Sequence, residues 1–369
     1  MDAIKRDTNL HILMKAVFFV IAFLIIFGCL GVSSSDSGGG RGNNLRIRYT
    51  SSGQIYFGNS QGIILYNKIF EGIWLETKEL RNPDCYNLDD FVLLPQNNVL
   101  SAYRRGGEGC GVPGVYLTFL NNNSTNIILP PTNTQSQYEN PVLTISNDSK
   151  FLTLTYENYS KRQEKYLGGF YLISTNNLSV ISNIQTSSYP KTHFSPDGKY
   201  LGVLTPFTAI SIYSIPSEIL KNNFSTVSAE DFWWLNDTDM LLLENSKIVS
   251  INPLNQSGPG KLLYDVNCNQ LVGYYCSLNQ IEVSPNGRYV AVGGSYAVNE
   301  DTCNAGPEGF YICSEGFIAV VDLYENGTVF WNQGGQAHDN SAVFDWSPDG
   351  NELAYTFDGG SIFKQKISG

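Results

Sequence analysis

The sequence predicts an all-β fold assembled from repeated four-stranded units, on three observations. First, the 369 residues hold 35 Gly, 22 Tyr and 20 Phe but only 23 Lys+Arg, a profile of short strands and turns rather than helices. Second, three segments read almost alike: HFSPDGKYLGVL from His193, EVSPNGRYVAVGG from Glu282 and DWSPDGNELAYTF from Asp345. Each is an apolar strand, Ser-Pro-Asp/Asn-Gly, and a second apolar strand. Pro fixes φ at the first corner and Asp or Asn suits the second. Gly then takes the left-handed position that returns the chain antiparallel. Third, weaker copies fill the gaps: RYTSSGQIYFG from Arg48, FVLLPQNNVLSAY from Phe91, TISNDSKFLTLTY from Thr144 and FWWLNDTDMLLL from Phe232.

One residue from each turn (Thr50, Leu94, Ser146, Ser195, Leu235, Ser284, Ser347) gives intervals of 44, 52, 49, 40, 49 and 63 residues. A period of about 45–50 residues with four short strands is the sign of a β-propeller. The long interval contains an insertion between Gly294 and Glu315. Seven motifs imply seven blades; six, with the first motif misread, is the alternative. The last blade shows three strands, so Leu45-Arg46-Ile47-Arg48 is expected to complete it. At this point the repeats resemble those of TolB-type and WD-type propellers. The stretch from Ala337-His338-Asp339 through SPDGNELAYTF is the most similar to a WD repeat. The resemblance runs from residue 45 onward and implies a fold, not an activity.

The N-terminus sets the expected compartment. Ala16 to Val32 (AVFFVIAFLIIFGCLGV) is an uncharged apolar run that follows Lys5, Arg6 and Lys15 and precedes SSSDSGGGRGNN. A basic flank, an apolar run and a Ser/Gly stretch are the pattern of an export signal. Residues 1–32 are therefore expected to be a signal peptide or membrane anchor, 33–44 a tether, and 45–369 an extracytoplasmic propeller. Ile26-Phe27-Gly28-Cys29 resembles a lipobox, which would make Cys29 a lipidation site, with Phe27 a departure from the pattern. The alternative is an uncleaved helix of about 26 Å, short but workable in a thin bilayer. The positive flank places the N-terminus inside and the body at the cell surface or in a periplasm.

In a four-stranded blade the first and third turns lie on one face, and the second turn and the blade-to-blade loop on the other. The second turns are long, at 104–114, 157–167 and 295–314, and long loops in compact domains carry function. Beyond Cys29, the six cysteines Cys85, Cys110, Cys268, Cys276, Cys303 and Cys313 all fall in loops of this face. An even number suits an oxidising compartment. The expected pairs are 85–110, 268–276 and 303–313, out of about 15 formal connectivities. Stapled loops bearing Tyr274, Tyr275, Phe310 and Tyr311, with Arg104 and Arg105 beside them, suit recognition of a partner. The plainer alternative is that the staples only hold long loops in place.

Asn-x-Ser/Thr sequons at Asn122, Asn123, Asn147, Asn158, Asn177, Asn223, Asn236, Asn255 and Asn326 are candidate glycosylation sites. All but Asn158 are expected on the short-turn face. Asn also favours turns without any sugar.

The motifs of chemistry are mostly set aside. Gly58-Asn59-Ser60-Gln61-Gly62 fits G-x-S-x-G but leads into Ile63-Ile64-Leu65-Tyr66, a strand rather than the helix a nucleophile elbow needs. Gly109 to Gly114 matches G-x-G-x-x-G without a following helix to cradle phosphate. Asp237-Thr238-Asp239 lacks the Gly and Glu of a calcium loop. His193 and His338 are the only exterior imidazoles available as bases. Asp89-Asp90 reads as an ordinary solvated loop pair, and one of Trp233 and Trp234 as core. A formal charge of −11 argues against a nucleic-acid partner. No cofactor and no metal is expected.

Two function classes follow. The leading one is a non-catalytic, membrane-anchored propeller binding a protein or glycan partner through the stapled loops. The alternative is an exported propeller enzyme, lactonase- or dehydrogenase-like, with a metal or cofactor on the axis.

Overall fold

The computed structural model describes residues 46–367, less 60–61, 71–72, 82–85, 96–97, 106–113, 120–123, 130–137, 161–164, 226–227, 256–259, 268–275, 298–313, 338–341 and 358–361. Among the described residues there are seven antiparallel sheets and no α-helix. Blade 1 spans 46–81, blade 2 86–129, blade 3 138–186, blade 4 191–225, blade 5 229–265, blade 6 276–337 and blade 7 343–366. Strands pair in chain order within each blade. The architecture is a seven-bladed propeller, and the six-blade alternative falls.

The first strand of each blade is innermost: Arg46–Tyr49, Tyr86–Leu94, Tyr138–Ile145, Lys191–Phe194, Ala229–Trp234, Cys276–Val283 and Val343–Trp346. First strands meet one another across the boundaries 1/2, 2/3, 3/4, 4/5, 5/6 and 7/1. Between blades 6 and 7, Trp346 Nε1 donates to Glu282 O at 3.4 Å.

Seven apolar clusters fill the seven boundaries, one to each. Three of them are centred on a phenylalanine three residues before a turn. Phe91, Phe232 and Phe344 are all fully buried, each contributing about 1.5–3 kcal/mol relative to exposure. The preceding blade makes room for each ring with a glycine in its second strand. A Cβ at Gly58 would meet Phe91 at 2.7 Å, at Gly202 Phe232 at 2.6 Å, and at Gly293 Phe344 at 2.7 Å.

The Ser-Pro-Asp-Gly turns are closed by their own side chains. Ser195 Oγ donates to Asp197 Oδ1 at 2.7 Å and accepts the Tyr200 N–H at 3.0 Å, while Gly198 sits at φ +70°. Ser284 with Asn286, and Ser347 with Asp349, repeat the arrangement. In blade 3 the left-handed position is taken by Ser149, at φ 57°. Neighbouring turns are also tied together. Asn147 Nδ2 donates to Pro196 O, the Asp197 N–H to Asp237 Oδ1, and Asn286 Nδ2 to Gly350 O.

Ring closure differs from the expectation. Arg46–Tyr49 does not complete blade 7; it is the innermost strand of blade 1, with Ile47 opposite Phe57 and Tyr49 opposite Ile55. The physical reason is local. Thr50 Oγ1 accepts the Gln54 N–H at 3.0 Å and Gly53 turns at φ +77°, so the hairpin commits the strand to its own blade. Blade 7 has three strands among the described residues.

Candidate functional site

The seven turns align the innermost strands, and two positions recur on them. Two residues before the turn stand Arg48, Val92, Thr144, His193, Trp233, Glu282 and Asp345. Four residues before it stand Arg46, Asp90, Val142, Lys191, Asp231, Gln280 and Val343. Among the described residues these positions bring together the buried Asp90 and Asp231 with the partly buried Arg46, Arg48, Lys191, Glu282 and Asp345.

Asp89 and Asp90 are 1% and 0% exposed, which corrects the reading of a solvated loop pair. Both lie inside the innermost strand of blade 2, where Asp90 has a full set of partners. Its Oδ1 accepts Arg46 Nε at 3.0 Å and the Phe91 N–H at 2.8 Å, and Oδ2 accepts the Leu143 N–H of blade 3 at 2.8 Å. Arg48 lies 3.6 Å from the same carboxylate. Asp231 repeats the pattern toward blade 6, accepting the Phe232 N–H at 2.9 Å and the Ile281 N–H at 3.1 Å, with Lys191 Nζ at 3.4 Å. Asp345 does so across the 7/1 boundary, accepting the Tyr49 N–H at 2.6 Å.

Electrostatics follow from burial. Burial, and then the adjacent Asp345, push the Glu282 carboxyl well above the usual carboxylate range, and a hydrogen bond joins the two groups. Burial alone would lower the pKa of Arg48; the carboxyls of Asp90, Asp345 and Glu282 outweigh it and raise it. Burial, then Lys191 and Arg48, depress the His193 imidazole to about 3. That ring lies 4.2 Å from Trp233 and 5.0 Å from Phe232, centroid to centroid. His193 is therefore a neutral packed ring rather than an exterior base, and His338 lies outside the described residues. Trp234 is the core member of its pair, 3% exposed, its Nε1 donating to His193 O. Among the described residues no three His, Cys, Asp or Glu side chains group as a metal site. Chemically, the axial carboxyls tie blades to one another.

The opposite question is what the looped face offers. Its hairpins are longer than expected and its loops correspondingly shorter. Glu157–Ser160 pairs with Lys165–Gly168, so most of the loop placed at 157–167 is ladder. In blade 6 pairing continues out to Ala297 opposite Ser314. Arg104 and Arg105 end the second strand of blade 2, opposite Asn87 and Tyr86 on one side and Val115 and Gly114 on the other. By contrast the second turns of blades 4 and 5 are short, 206–208 and 245–246. Blades 2, 3 and 6 thus project and blades 4 and 5 stay low.

Tyr274, Tyr275, Phe310, Tyr311, Cys85, Cys110, Cys268, Cys303 and Cys313 lie outside the described residues, as do Cys29, Asn122 and Asn123. Cys276 opens the innermost strand of blade 6, 6% exposed and disulfide-bonded. Of the sequons, Asn147, Asn177, Asn236, Asn255 and Asn326 are exposed at first or third turns. Asn158 is in the second strand of blade 3 and Asn223 in the fourth strand of blade 4, opposite Ser211. The latter is not at the short turns where it was expected. One aromatic was missed: Phe207, 66% exposed at φ 58° in the low second turn of blade 4. Its signal was the TPFT turn, which lacks the Gly or Asn that a left-handed corner favours.

No known protein family matches the chain, and no curated protein matches it. Among solved structures it is similar to the Cps50 (Swd1) β-propeller domain of Myceliophteria thermophila, at 13% identity and a TM-score of 0.58. The match covers 90% of this chain and 99% of that one, and 930 solved chains match in all. So common a fold discriminates no activity; the likeness establishes that the chain has a β-propeller fold.

Proposed function

We propose that this protein is a non-catalytic binding propeller, TolB-like in being exported, and anchored through residues 1–32. In this reading its body is extracytoplasmic, and the projecting hairpins of blades 2, 3 and 6 present a protein or glycan site. One observation carries the reading. The axial carboxyls, where an enzyme of this shape would hold a metal or cofactor, are consumed by Arg46, Arg48, Lys191 and the backbones of adjacent blades. What remains available is the looped face, flanked by Arg104, Arg105 and the exposed Phe207. Disulfides 85–110, 268–276 and 303–313 would stiffen that face and lower the ordering cost of binding. Glycans at Asn123, Asn147, Asn158, Asn177, Asn223, Asn236, Asn255 and Asn326 would lie mostly on the short-turn face, with Asn158 and Asn223 the exceptions.

The test uses the full chain in intact cells. Protease added outside should remove everything after residue 45, and Cys29→Ser should release a lipoprotein but leave a helical anchor in place. A photo-crosslinker at residue 105 should capture a surface protein or glycan, and one at residue 324, on the other face, should not. Equal capture at both positions, or a stoichiometric metal in the purified protein, would sink the binding reading.

A further inference from the structure

The looped face has a trough in it. Blades 4 and 5 stand between blades 3 and 6, and the second strands of all four begin at the same offset from the aligned turn. In the flanking blades these strands, Phe151–Ser160 and Tyr289–Ala297, are 10 and 9 residues long. Tyr200–Thr205 and Met240–Glu244 are 6 and 5 residues long. The walls therefore stand about 13 Å above the floor at the rise of a strand.

Three side chains mark that floor. Phe207 lies exposed in the short turn of blade 4. Glu244 ends the second strand of blade 5, and alternation sets its direction. Met240 and Leu242 pack toward blade 4, Leu241 and Leu243 toward blade 6, so Glu244 faces blade 4 at the level above Leu242. Glu230 is the extra residue of a bulge next to it, because Ala229 is opposite Glu244 and Asp231 opposite Leu243. Beneath them the boundary is apolar, with Leu204, Ile210, Ala229 and Leu242 buried.

Both carboxylates are left without partners. Glu230 Oε2 is shut off from solvent and accepts no hydrogen bond, and neither Glu230 nor Glu244 forms an ion pair among the described residues. The cations nearby are placed otherwise. Lys191, whose charge acts on Glu230, has its Nζ 3.4 Å from Asp231 and donates to Asn279 O at 2.6 Å. Lys247, opposite Glu244 in the ladder, is exposed and makes no ion pair with it. Half-buried carboxylates with no counter-charge are costly to the free protein, and an arriving cation recovers that cost.

We propose that this trough receives a basic segment of a protein partner, one Lys or Arg side chain seating its charge between Glu230 and Glu244 with its apolar stem or a neighbouring residue against Phe207. Long cationic side chains combine such a stem with a charged head, and an aromatic face adds to their hold. The net charge of −11 draws a basic partner in the same direction. The inference rests on the looped face being the binding face, and it selects a protein over a glycan there.

The test is selection of displayed random peptides on the purified full chain. Enriched sequences should carry Lys or Arg beside an apolar or aromatic residue. A synthetic copy of the best one should bind Glu230→Gln and Glu244→Gln about tenfold more weakly than wild type. Glu218→Gln, on the short-turn face, should bind it as wild type does. The same peptide with norleucine in place of its cation should no longer distinguish wild type from the two variants. Should either variant fail to fold, Phe207→Ala decides, with a severalfold loss of affinity expected at an unchanged melting temperature and no loss counting against the site. Selection without Lys or Arg, or equal affinity for wild type and both Gln variants, overturns the proposal. So does calcium bound stoichiometrically by wild type and lost in both variants, which would make the pair a metal site. If capture at residue 105 succeeds while these variants bind normally, the binding reading stands and only the trough falls.

Discussion

Asp90 Oδ2 accepts the backbone N–H of Leu143 at 2.8 Å, joining the innermost strands of blades 2 and 3 by a side chain instead of a ladder. Asp231 to Ile281 and Asp345 to Tyr49 do the same between blades 5 and 6 and blades 7 and 1. Asp90 and Asp231 also take Arg46 and Lys191 from the preceding blades, and the other boundaries add further contacts. Between 1 and 2, 4 and 5, and 6 and 7, a phenylalanine fits over a glycine. Between 3 and 4, Thr153 and Thr192 hydroxyls meet at 2.7 Å. One architecture is thus held by three kinds of contact, with carboxylate and aromatic boundaries alternating round much of the ring.

Replacing Asp90 tests the carboxylate boundaries. Asp90→Ala takes the buried carboxylate away from Arg46 and Arg48 and leaves the Leu143 N–H without its acceptor. A loss of about 3–5 kcal/mol is expected, the usual cost of breaking a buried ion pair from one side. Glu325→Ala, which removes an exposed ion pair with Arg288, should cost about 1 kcal/mol or less. Denaturant midpoints of the two variants read the difference; equal values would mean that Asp90 is not a blade-to-blade tie.

Gly202→Ala tests the aromatic boundaries. The added methyl would lie 2.6 Å from Phe232 Cε2 and 3.1 Å from Met240 Cε, so the ring must move. Overpacking of this kind costs about 1–3 kcal/mol. Gly327→Ala, which meets nothing closer than 4.0 Å, should stay within about 0.5 kcal/mol of wild type. A Gly202→Ala protein with an unchanged melting temperature would show that the Phe232 pocket is loose.

What the sequence made legible was local chemistry. Ser195, Asp197 and Gly198 act within one turn, so their spacing alone announces a hairpin, and its recurrence announces the blades. Asp90 acts on Leu143, more than fifty residues away, and nothing within its own segment distinguishes it from a solvated carboxylate. The shared Asp-Phe dipeptides at 90–91 and 231–232, at the same offset from their turns, were the available clue. They become informative only when the repeats are superposed. Arg46–Tyr49 was misassigned for the complementary reason. A blade with three visible strands suggested a missing fourth, but the turn at Thr50 had already paired that segment with Ile55–Gly58.

Phe207 tests the looped face. A bulky side chain at φ 58° and 66% exposure is strained and contributes little packing, the profile of a residue retained for contact. Phe207→Gly should therefore leave the melting temperature unchanged or raise it slightly, and weaken capture of the surface partner severalfold. A destabilised variant with undiminished capture would reassign Phe207 to structure.

His193 gives the fold a dependence on pH that can be isolated. Its folded pKa is depressed to about 3 by burial, Lys191 and Arg48, against about 6.5 in an unfolded chain. Below about 6.5 the unfolded chain therefore binds a proton that the folded protein refuses. The stability linked to the neutral ring is complete above that pH and is lost as pH falls toward about 3. Glu282 runs the other way, because its raised folded pKa costs stability as pH climbs past the unfolded carboxyl value. A simple wild-type pH profile would mix the two. His193→Phe separates them, since it keeps a ring against Trp233 and removes only the imidazole titration. At neutral pH the variant should lie within about 1 kcal/mol of wild type, the scale of one aromatic pair. As pH drops, the melting temperature of wild type should fall relative to the variant, with the slope of one proton. Parallel curves down to the acid transition would mean that His193 is solvated and titrates normally.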